Sequence, residues 1–109
     1  MVERLMERFD VWLVMKNPNN GRVVDNLGLC TIISPNELND LPNLVVAPMT
    51  TSTENLQSRI ECEFDNAKGY VMVDQIRSID KLSFIKKMGE LESEVQARLC
   101  DCLQEFFAL

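Results

Sequence analysis

The stretch GYVMVDQIRSIDK, from Gly69 to Lys81, decides how the rest of the chain is interpreted. Val71 and Val73 stand two residues apart, which is the period of a half-buried β-strand. Beyond Asp74 the stretch becomes polar, and its two isoleucines are the apolar residues that remain. We therefore expect Asp74 at the end of a strand, where a sheet delivers side chains to a loop. Aspartate is also a favoured turn residue, so capping of the next turn is an alternative role for it.

Segments before this stretch have the alternation and the β-branched or aromatic content of strands. They are Phe9–Met15, Gly28–Ser34, Leu44–Met49 and Arg59–Phe64. Lys16–Leu27 and Thr50–Ser58 have loop composition. Pro35 ends the second strand, and Asn36–Leu41 has room for one helical turn, with Ser34 or Asn36 as its cap. Asp65–Gly69 is expected to be the turn of a hairpin whose return strand is the opening stretch.

The segments after this stretch are expected to be helical. Lys81–Lys87 is interpreted as a short turn or helix that Gly89 ends, and a capped helix is predicted from about Leu91 to the end of the chain. Its apolar residues recur at spacings of three and four, which predicts one buried stripe. They are Leu91, Val95, Leu99, Cys102, Leu103 and Phe106. The fold class is thus α+β, mainly β: one domain, residues 1–109, forming a small antiparallel barrel with a C-terminal helix.

Charge and composition narrow the chemistry that the chain can perform. Its formal net charge is -6, and its lysines and arginines are scattered, which argues against binding duplex nucleic acid through many phosphates. A short single-stranded substrate held in one groove is compatible with this charge. The chain has no histidine, so it has no Ser-His or Cys-His arrangement. Any catalysis must use carboxylates, arginine, lysine or hydroxyl groups.

The cysteines are interpreted as free thiols that serve as small apolar residues. They are Cys30, Cys62, Cys100 and Cys102. Without histidine, and with the last two pointing to different faces of a helix, they do not suggest a metal site. A disulfide framework is equally unexpected in a reducing compartment. The N-terminus is charged and no apolar run approaches the length of a membrane span, so we expect a cytoplasmic protein that does not enter a membrane.

Several pieces of the chain, in their order and spacing, resemble the MazF, PemK and Kid family of type II toxin–antitoxin toxins. They are DVWLV at Asp10–Val14, IISPNELN at Ile32–Asn39, VVAPMT at Val45–Thr50, RIECEF at Arg59–Phe64, and GYVMVDQIRSIDK. The resemblance covers nearly the whole length. It implies an SH3-like barrel of the CcdB and PemK type, a homodimer, an antitoxin partner, and cofactor-free, metal-independent cleavage of single-stranded RNA at a short sequence.

The resemblance also assigns residues to that reaction, which is an mRNA interferase-like attack by a ribose 2'-OH on its own phosphate. Thr50 matches the family's active-site threonine, and Asp74 matches the acidic residue that one branch uses as a candidate base. Arginines of the family are missing at two positions, which are Gly28 and Met72 here. Arg22, in the preceding loop, is our candidate to supply a guanidinium instead. Without a substitute, activity should be weak or lost.

Further residues are expected to contact the RNA: Thr51, Gln75, Arg59 and Arg77. For the arginines, including Arg22, solvated or turn-stabilising charge is the alternative interpretation. Two functions from different classes therefore stay open. One is an endoribonuclease toxin. The other is a catalytically impaired toxin homologue that binds an antitoxin or an active toxin subunit.

Overall fold

The computed structural model describes residues 6–15, 27–51, 59–64 and 66–108, and this part of the chain contains seven strands and one α-helix. The strands are β1 (Asp10–Met15), β2 (Leu27–Ile32), β3 (Asn43–Thr50), β4 (Arg59–Phe64), β5 (Ala67–Met72), β6 (Arg77–Asp80) and β7 (Phe84–Glu90), and the helix α1 is Ser93–Phe106. Short 3-10 helices occur at Asn36–Leu38, Val73–Gln75 and Lys81–Ser83. The predicted class is confirmed: a curled antiparallel sheet with one C-terminal helix.

Strand β3 is the centre of the sheet. The strand order is β4-β5-β3-β2-β1-β7, and β6 also pairs with β3. The first half of β3 pairs with β6, from Asn43 opposite Asp80 to Val46 opposite Arg77, whereas its end pairs with β5, with Thr50 opposite Tyr70. Pro48 lies between these two pairings and has no N–H to donate, which suits a position where the ladder along this edge is interrupted.

The chain leaves β3 and returns to it through the opening stretch. Val71 is the last residue of β5 opposite β3, and Arg77 is the first residue of β6 opposite it. Residues 72–76 are therefore not paired with β3: Met72 pairs with Arg59 of β4, and Val73–Gln75 forms a 3-10 turn. The predicted strand consequently ends at Met72. Val71 and Val73 are both fully buried, as their alternation indicates.

The core has two parts. One includes Val11, Ala47, Val71 and Val73 and is covered by α1, whose Val95 and Leu99 are buried in it. The other is built on Val14, Cys30, Ile32, Leu44 and Val46, with Trp12, Ile79 and Phe84 packed against it. The predicted apolar stripe of the helix is confirmed at its first turns. Near its end Phe106 is half exposed and forms a T-shaped contact with Phe107 instead.

A buried carboxylate ties the start of β1 to its surroundings. Asp10 is only 2% exposed, and its Oδ2 accepts from the backbone N–H of Glu7 at 2.9 Å and from the indole Nε1 of Trp12 at 3.5 Å. Its Oδ1 lies 3.3 Å from the Nζ of Lys87 on β7. Since a buried charge needs partners, this set of contacts explains how an aspartate is tolerated inside the sheet.

The prediction of a turn or helix over Lys81–Lys87 is wrong for most of that segment. Lys81–Ser83 is a 3-10 turn, but Phe84–Glu90 is strand β7, which pairs with β1 and contains Gly89. The alternation that signals a strand is missing because β7 is an edge strand with mostly exposed residues, and its register with β1 shifts twice. The described sheet thus has seven strands, whereas the sequence predicts the four earlier segments and the opening stretch.

Smaller corrections concern turns and caps. Ala67 to Gly69 belong to β5, where Ala67 pairs with Phe64 and Gly69 pairs with Cys62 of β4. The hairpin turn is therefore shorter than predicted. No side chain caps the turn at Asn36–Leu38 or the helix α1. The Oγ of Ser34 instead donates to Asn39 Oδ1 at 2.7 Å, and Gln96 Nε2 donates to the carbonyl of Leu91 at 2.8 Å.

The cysteines are free thiols in the structure, as expected: Cys30, Cys62, Cys100 and Cys102. The loops predicted between β1 and β2 and after Thr51 fall largely outside the described residues. Across the described ranges, α1 included, no helix has the length and apolar character needed to cross a membrane.

Candidate functional site

Two clefts meet at Thr50, the last residue of β3. Both are lined by Gly28 and Leu29 of β2 together with Met49 and Thr50 of β3. Thr50 therefore stands on a shared wall, and a group bound in either cleft would lie beside it. The sequence placed Thr50 at a strand terminus, and this position is confirmed.

The first of these spaces, here called the Arg77 cleft, has a volume of about 230 Å³. Its floor and walls come from β1, β2, β3, β6 and the 3-10 turn that follows β5. Besides the four shared residues it is lined by Val14, Cys30, Pro48, Met72, Gln75, Arg77 and Ile79. Three of the predicted site residues, Thr50, Gln75 and Arg77, thus line one cleft, although Thr50 is distant in sequence from the other two. The cleft combines a hydroxyl, a carboxamide and a guanidinium.

Arg77 is fixed at the first position of β6, opposite Val46. Its side chain is exposed, and within the ranges that the structure describes no carboxylate lies at ion-pair distance from it. Its positive charge acts on Cys30, which lines the same cleft. Burial raises the pKa of the Cys30 thiol from 9.0 to about 12, and the positive charge of Arg77 opposes part of that rise. The thiol itself is therefore protonated and does not serve as a base.

The second space, the Phe64 cleft, has a volume of about 330 Å³ and lies between β2 and the β4–β5 hairpin. Its remaining lining residues are Leu27, Thr51, Cys62, Phe64, Ala67, Lys68 and Gly69. Apolar groups predominate, and Lys68 is its cationic residue among those described. The Nζ of Lys68 lies 3.3 Å from the carboxylate of Glu61, on an exposed part of the hairpin.

Two glycines permit close contacts around this cleft. A Cβ on Gly69 would lie 3.2 Å from the carbonyl oxygen of Thr50, so the two strands approach tightly there. A Cβ on Gly89 would lie 3.1 Å from Cε1 of Phe64, and Gly89 has a φ of +154°, which side chains other than glycine rarely adopt. The first contact brings the backbone of β5 close to that of Thr50, and the second places the ring of Phe64 against β7.

The other predicted residues lie at or outside the rim. Asp74 is exposed in the 3-10 turn Val73–Gln75 and lines neither cleft. Arg59 is partly buried on β4, directly opposite Met72, so the two side chains share a face of the sheet. Thr51 is exposed and lines the Phe64 cleft. Arg22, the predicted substitute guanidinium, lies outside the described residues.

Metal ligands are not assembled in the described portion of the chain. No group of three or more cysteine, aspartate or glutamate side chains there could hold a metal ion. The groups that the Arg77 cleft offers are hydrogen-bond donors and a positive charge, which are suited to binding an anion such as a phosphodiester.

A curled antiparallel sheet, covered by one helix and bearing an open groove at the end of its central strand, defines a small β-barrel of the SH3-like kind. The family model for the PemK-like, MazF-like toxin of type II toxin-antitoxin systems matches residues 7–107. The chain therefore belongs to this toxin family. A search of curated proteins found no match.

Solved structures share the fold at low sequence identity. An endoribonuclease in complex with its cognate antitoxin, from a mycobacterial species, has a TM-score of 0.77 at 19% identity over 94% of this chain and 95% of its own. The Mycobacterium tuberculosis toxin MazF-mt6 has a TM-score of 0.73 at 18% identity over 92% and 97%. The MazE-MazF structure (Form-II) from Deinococcus radiodurans has a TM-score of 0.74 at 17% identity over 99% of both chains.

For Arg77, the sequence left solvated or turn-stabilising charge as the alternative to contact with RNA, and the structure places this residue in the lining of the cleft beside Thr50 and Gln75. The sequence carries no local signal for this arrangement, because it follows from the pairing of both β5 and β6 with β3. The cleft also contains Gly28 and Met72, the two positions where the family resemblance places arginines. Its space is thus open where those side chains would stand.

Proposed function

We propose that this toxin is a metal-independent endoribonuclease that cleaves single-stranded RNA in the Arg77 cleft. The observation that supports the proposal is the convergence of Thr50, Gln75 and Arg77 on one cleft at the end of β3. A phosphodiester placed there meets a hydroxyl, an amide and a positive charge. With a net charge of -6, the protein suits one short strand held at a single groove.

The reaction needs no group beyond the chain's own residues. The 2'-oxygen of a ribose attacks the adjacent phosphorus while the bond from phosphorus to the 5'-oxygen breaks. This yields a 2',3'-cyclic phosphate and a 5'-hydroxyl end. We assign to Asp74, which lies outside both clefts in the turn that carries Gln75, the removal of the 2'-OH proton from a ribose at the rim of the Arg77 cleft, and the departing 5'-oxygen receives a proton from water. Thr50 and Gln75 donate hydrogen bonds to the phosphoryl oxygens, where negative charge increases in the transition state.

The test is incubation of the purified protein with a long single-stranded RNA, followed by analysis of the fragment ends. We expect 2',3'-cyclic phosphate and 5'-hydroxyl ends, unaffected by EDTA. Thr50→Ala should lower the rate by about a hundredfold, since it removes a donor to the phosphoryl oxygens. Cleavage by Thr50→Ala at the wild-type rate, or no cleavage by wild type, would refute the proposal.

Asp74 is tested against a matched carboxylate. Asp74→Asn should lower the cleavage rate by at least about a hundredfold, because general-base catalysis contributes factors of this order. Asp101→Asn makes the same change on an exposed position of α1 and should leave the rate unchanged. Equal rates for the two variants would remove Asp74 from the mechanism.

A second function is favoured by one feature of the same cleft. Gly28 and Met72 carry no charge at the family's arginine positions, so the cleft is less cationic than the resemblance implies. In this alternative the protein has lost catalysis and acts by binding a cognate antitoxin or an active toxin subunit. Gly28→Arg combined with Leu29→Pro should then create cleavage where wild type shows none. In the first function it should raise an activity that already exists.

We also propose an antitoxin partner and a homodimer. For the dimer, exposed apolar residues identify a candidate surface: Leu82 is 92% exposed and Leu41 is 53% exposed. Their segments are adjacent, because the N–H of Lys81 donates to the carbonyl of Pro42 at 2.9 Å. Light scattering should give the mass of two chains for wild type and of one for Leu82→Glu. Phe107→Glu, exposed at the end of the helix, is the matched control and should stay dimeric.

The proposal of an antitoxin partner is supported by two similar structures. The mycobacterial endoribonuclease was solved with its cognate antitoxin, and the Deinococcus radiodurans MazF was solved with MazE. The product of a neighbouring gene should co-purify with the toxin and suppress its cleavage of RNA. A neighbouring product that binds without any effect on cleavage would contradict an antitoxin role for it.

A further inference from the structure

Cleavage of a phosphodiester requires a positive charge where the phosphoryl oxygens become more negative. In the part of the chain that the structure describes, two cationic residues line the clefts at Thr50: Arg77 in one and Lys68 in the other. Lys68 is already paired with Glu61 at 3.3 Å. Among the described residues, only Arg77 therefore lines one of these clefts without an ion pair to a carboxylate.

Several other described cations have structural partners, and the described lysines that form no ion pair, Lys81 and Lys86, line neither cleft, so Arg77 differs from both groups. Lys87 is paired with Asp10 at 3.3 Å, Arg98 donates to the carbonyl of Glu61 at 3.2 Å, and Arg8 lies over the ring of Phe9, 5.2 Å from its centroid. The first two contacts join different elements of the fold, and the third is local, between adjacent residues. Arg77 has no such carboxylate or carbonyl partner among the described residues, although it stands at a fixed position of a paired strand.

Arg77 is the one charged residue among the described residues that line its cleft. Gly28 contributes no side chain, and Met72 contributes an uncharged one, to the same cleft as Thr50 and Gln75. A guanidinium entering from β6 therefore meets neither a competing charge nor a bulky group at Gly28. Its planar set of donors matches two oxygens of a phosphate at once, which a lysine at this position would not do.

We propose that Arg77 is the catalytic guanidinium of this toxin and that it supplies, from β6, the charge that the family pattern places on the strand containing Gly28. This assignment rests on the proposed endoribonuclease function. Arg77 holds the phosphoryl oxygens of the scissile phosphate while Thr50 and Gln75 donate to the same group. It replaces Arg22 as the substitute for the missing arginine.

The kinetic test compares Arg77→Gln with Arg8→Gln, which removes the same charge from an exposed arginine outside both clefts. Arg77→Gln should lower kcat by about a hundredfold or more with a smaller effect on KM, because the interaction is strongest in the transition state. Arg77→Lys should be intermediate. Gly28→Arg in the Arg77→Gln background should recover activity. Equal kcat values for the Arg77 and Arg8 variants would overturn the assignment.

A binding test separates this assignment from the proposed reaction. An RNA with 2'-deoxy nucleotides cannot be cleaved, and its affinity is measured over a series of salt concentrations by fluorescence anisotropy. Loss of one phosphate contact in Arg77→Gln should lower the slope of log affinity against log salt by about 0.7, with no change for Arg8→Gln. If wild type binds but does not cleave, this slope still decides whether Arg77 contacts phosphate. An unchanged slope, or no binding by wild type, refutes the assignment.

Discussion

Gly69 and Thr50 approach so closely that a Cβ on the glycine would lie 3.2 Å from the threonine's carbonyl oxygen. They belong to adjacent strands, β5 and β3, and both residues line the Phe64 cleft. The position of the Thr50 backbone at the end of β3 thus depends on a residue that has no side chain.

Gly69→Ala should reduce RNA cleavage severalfold without unfolding the protein. The added methyl group pushes the end of β3 outward by a few tenths of an ångström, and catalysis is sensitive to such displacements. The gain from restricting the unfolded chain, about 0.4–1 kcal/mol, offsets part of the strain. Cleavage rates and thermal unfolding are measured in parallel. In a Thr50→Ala background the same substitution should have little further effect on the rate, and a full additive loss would argue against this coupling.

Gly89→Ala should destabilise the protein by about 1–3 kcal/mol, because it combines an unfavourable positive φ with a collision against Phe64. Urea unfolding measures the change. Phe64→Leu should relieve the collision but not the backbone strain, so the double variant should recover only part of the lost stability. If Gly89→Ala is as stable as wild type, the contact described at β7 is not tight.

Asp10→Ala should cost about 1–3 kcal/mol of unfolding free energy, since it leaves the N–H of Glu7 and the indole of Trp12 without their acceptor. Lys87→Met should cost less than about 1 kcal/mol, because the lysine end of the ion pair is half exposed. Lys86→Met, at the neighbouring exposed position, is the control. Equal losses for Asp10→Ala and Lys87→Met would show that the ion pair, not the hydrogen bonds, carries the stabilisation.

The raised pKa of Cys30, about 12 against 9.0 when exposed, predicts a loss of stability at alkaline pH. Above pH 9 the unfolded thiol releases its proton while the folded thiol keeps it, so the unfolded state binds fewer protons and stability falls as pH rises toward 12. The wild-type decline should exceed that of Cys30→Ala by up to about 1.4 kcal/mol per pH unit. Unfolding in urea at pH 8, 9 and 10 checks this. Parallel curves for the two proteins would contradict it.

The elements with clear apolar patterns were predicted from sequence, and those without them were not. The RIECEF strand and the stripe of Val95 and Leu99 have one buried and one exposed side, so their periodicity reports their structure directly. Strand β7 lies at the edge of the sheet with most residues exposed, and such a strand has no hydrophobic alternation to detect. Its pairing with β1 is a long-range contact that local sequence does not encode.

The site was predicted in part for a similar reason. Thr50 and Gln75 could be named because they belong to segments that resemble the toxin family. Whether Arg77 lines the cleft beside Thr50 depends on the pairing of both β5 and β6 with β3, which neither segment specifies alone. The functional assignments of Thr50, Gln75 and Arg77 stay predictions, as do those of Asp74, Arg59, Thr51 and Arg22.

The turn between β5 and β6 combines two tasks within one stretch of chain. Val71 and Arg77 pair with β3 on either side of it, and Val73 between them is fully buried in the core. Asp74 and Gln75 are the exposed residues of the turn, and both take part in the proposed reaction. A variant with a different RNA preference therefore cannot be sought by randomising the whole segment: Val73 must stay apolar, and changes at Asp74 or Gln75 would alter catalysis as well as recognition.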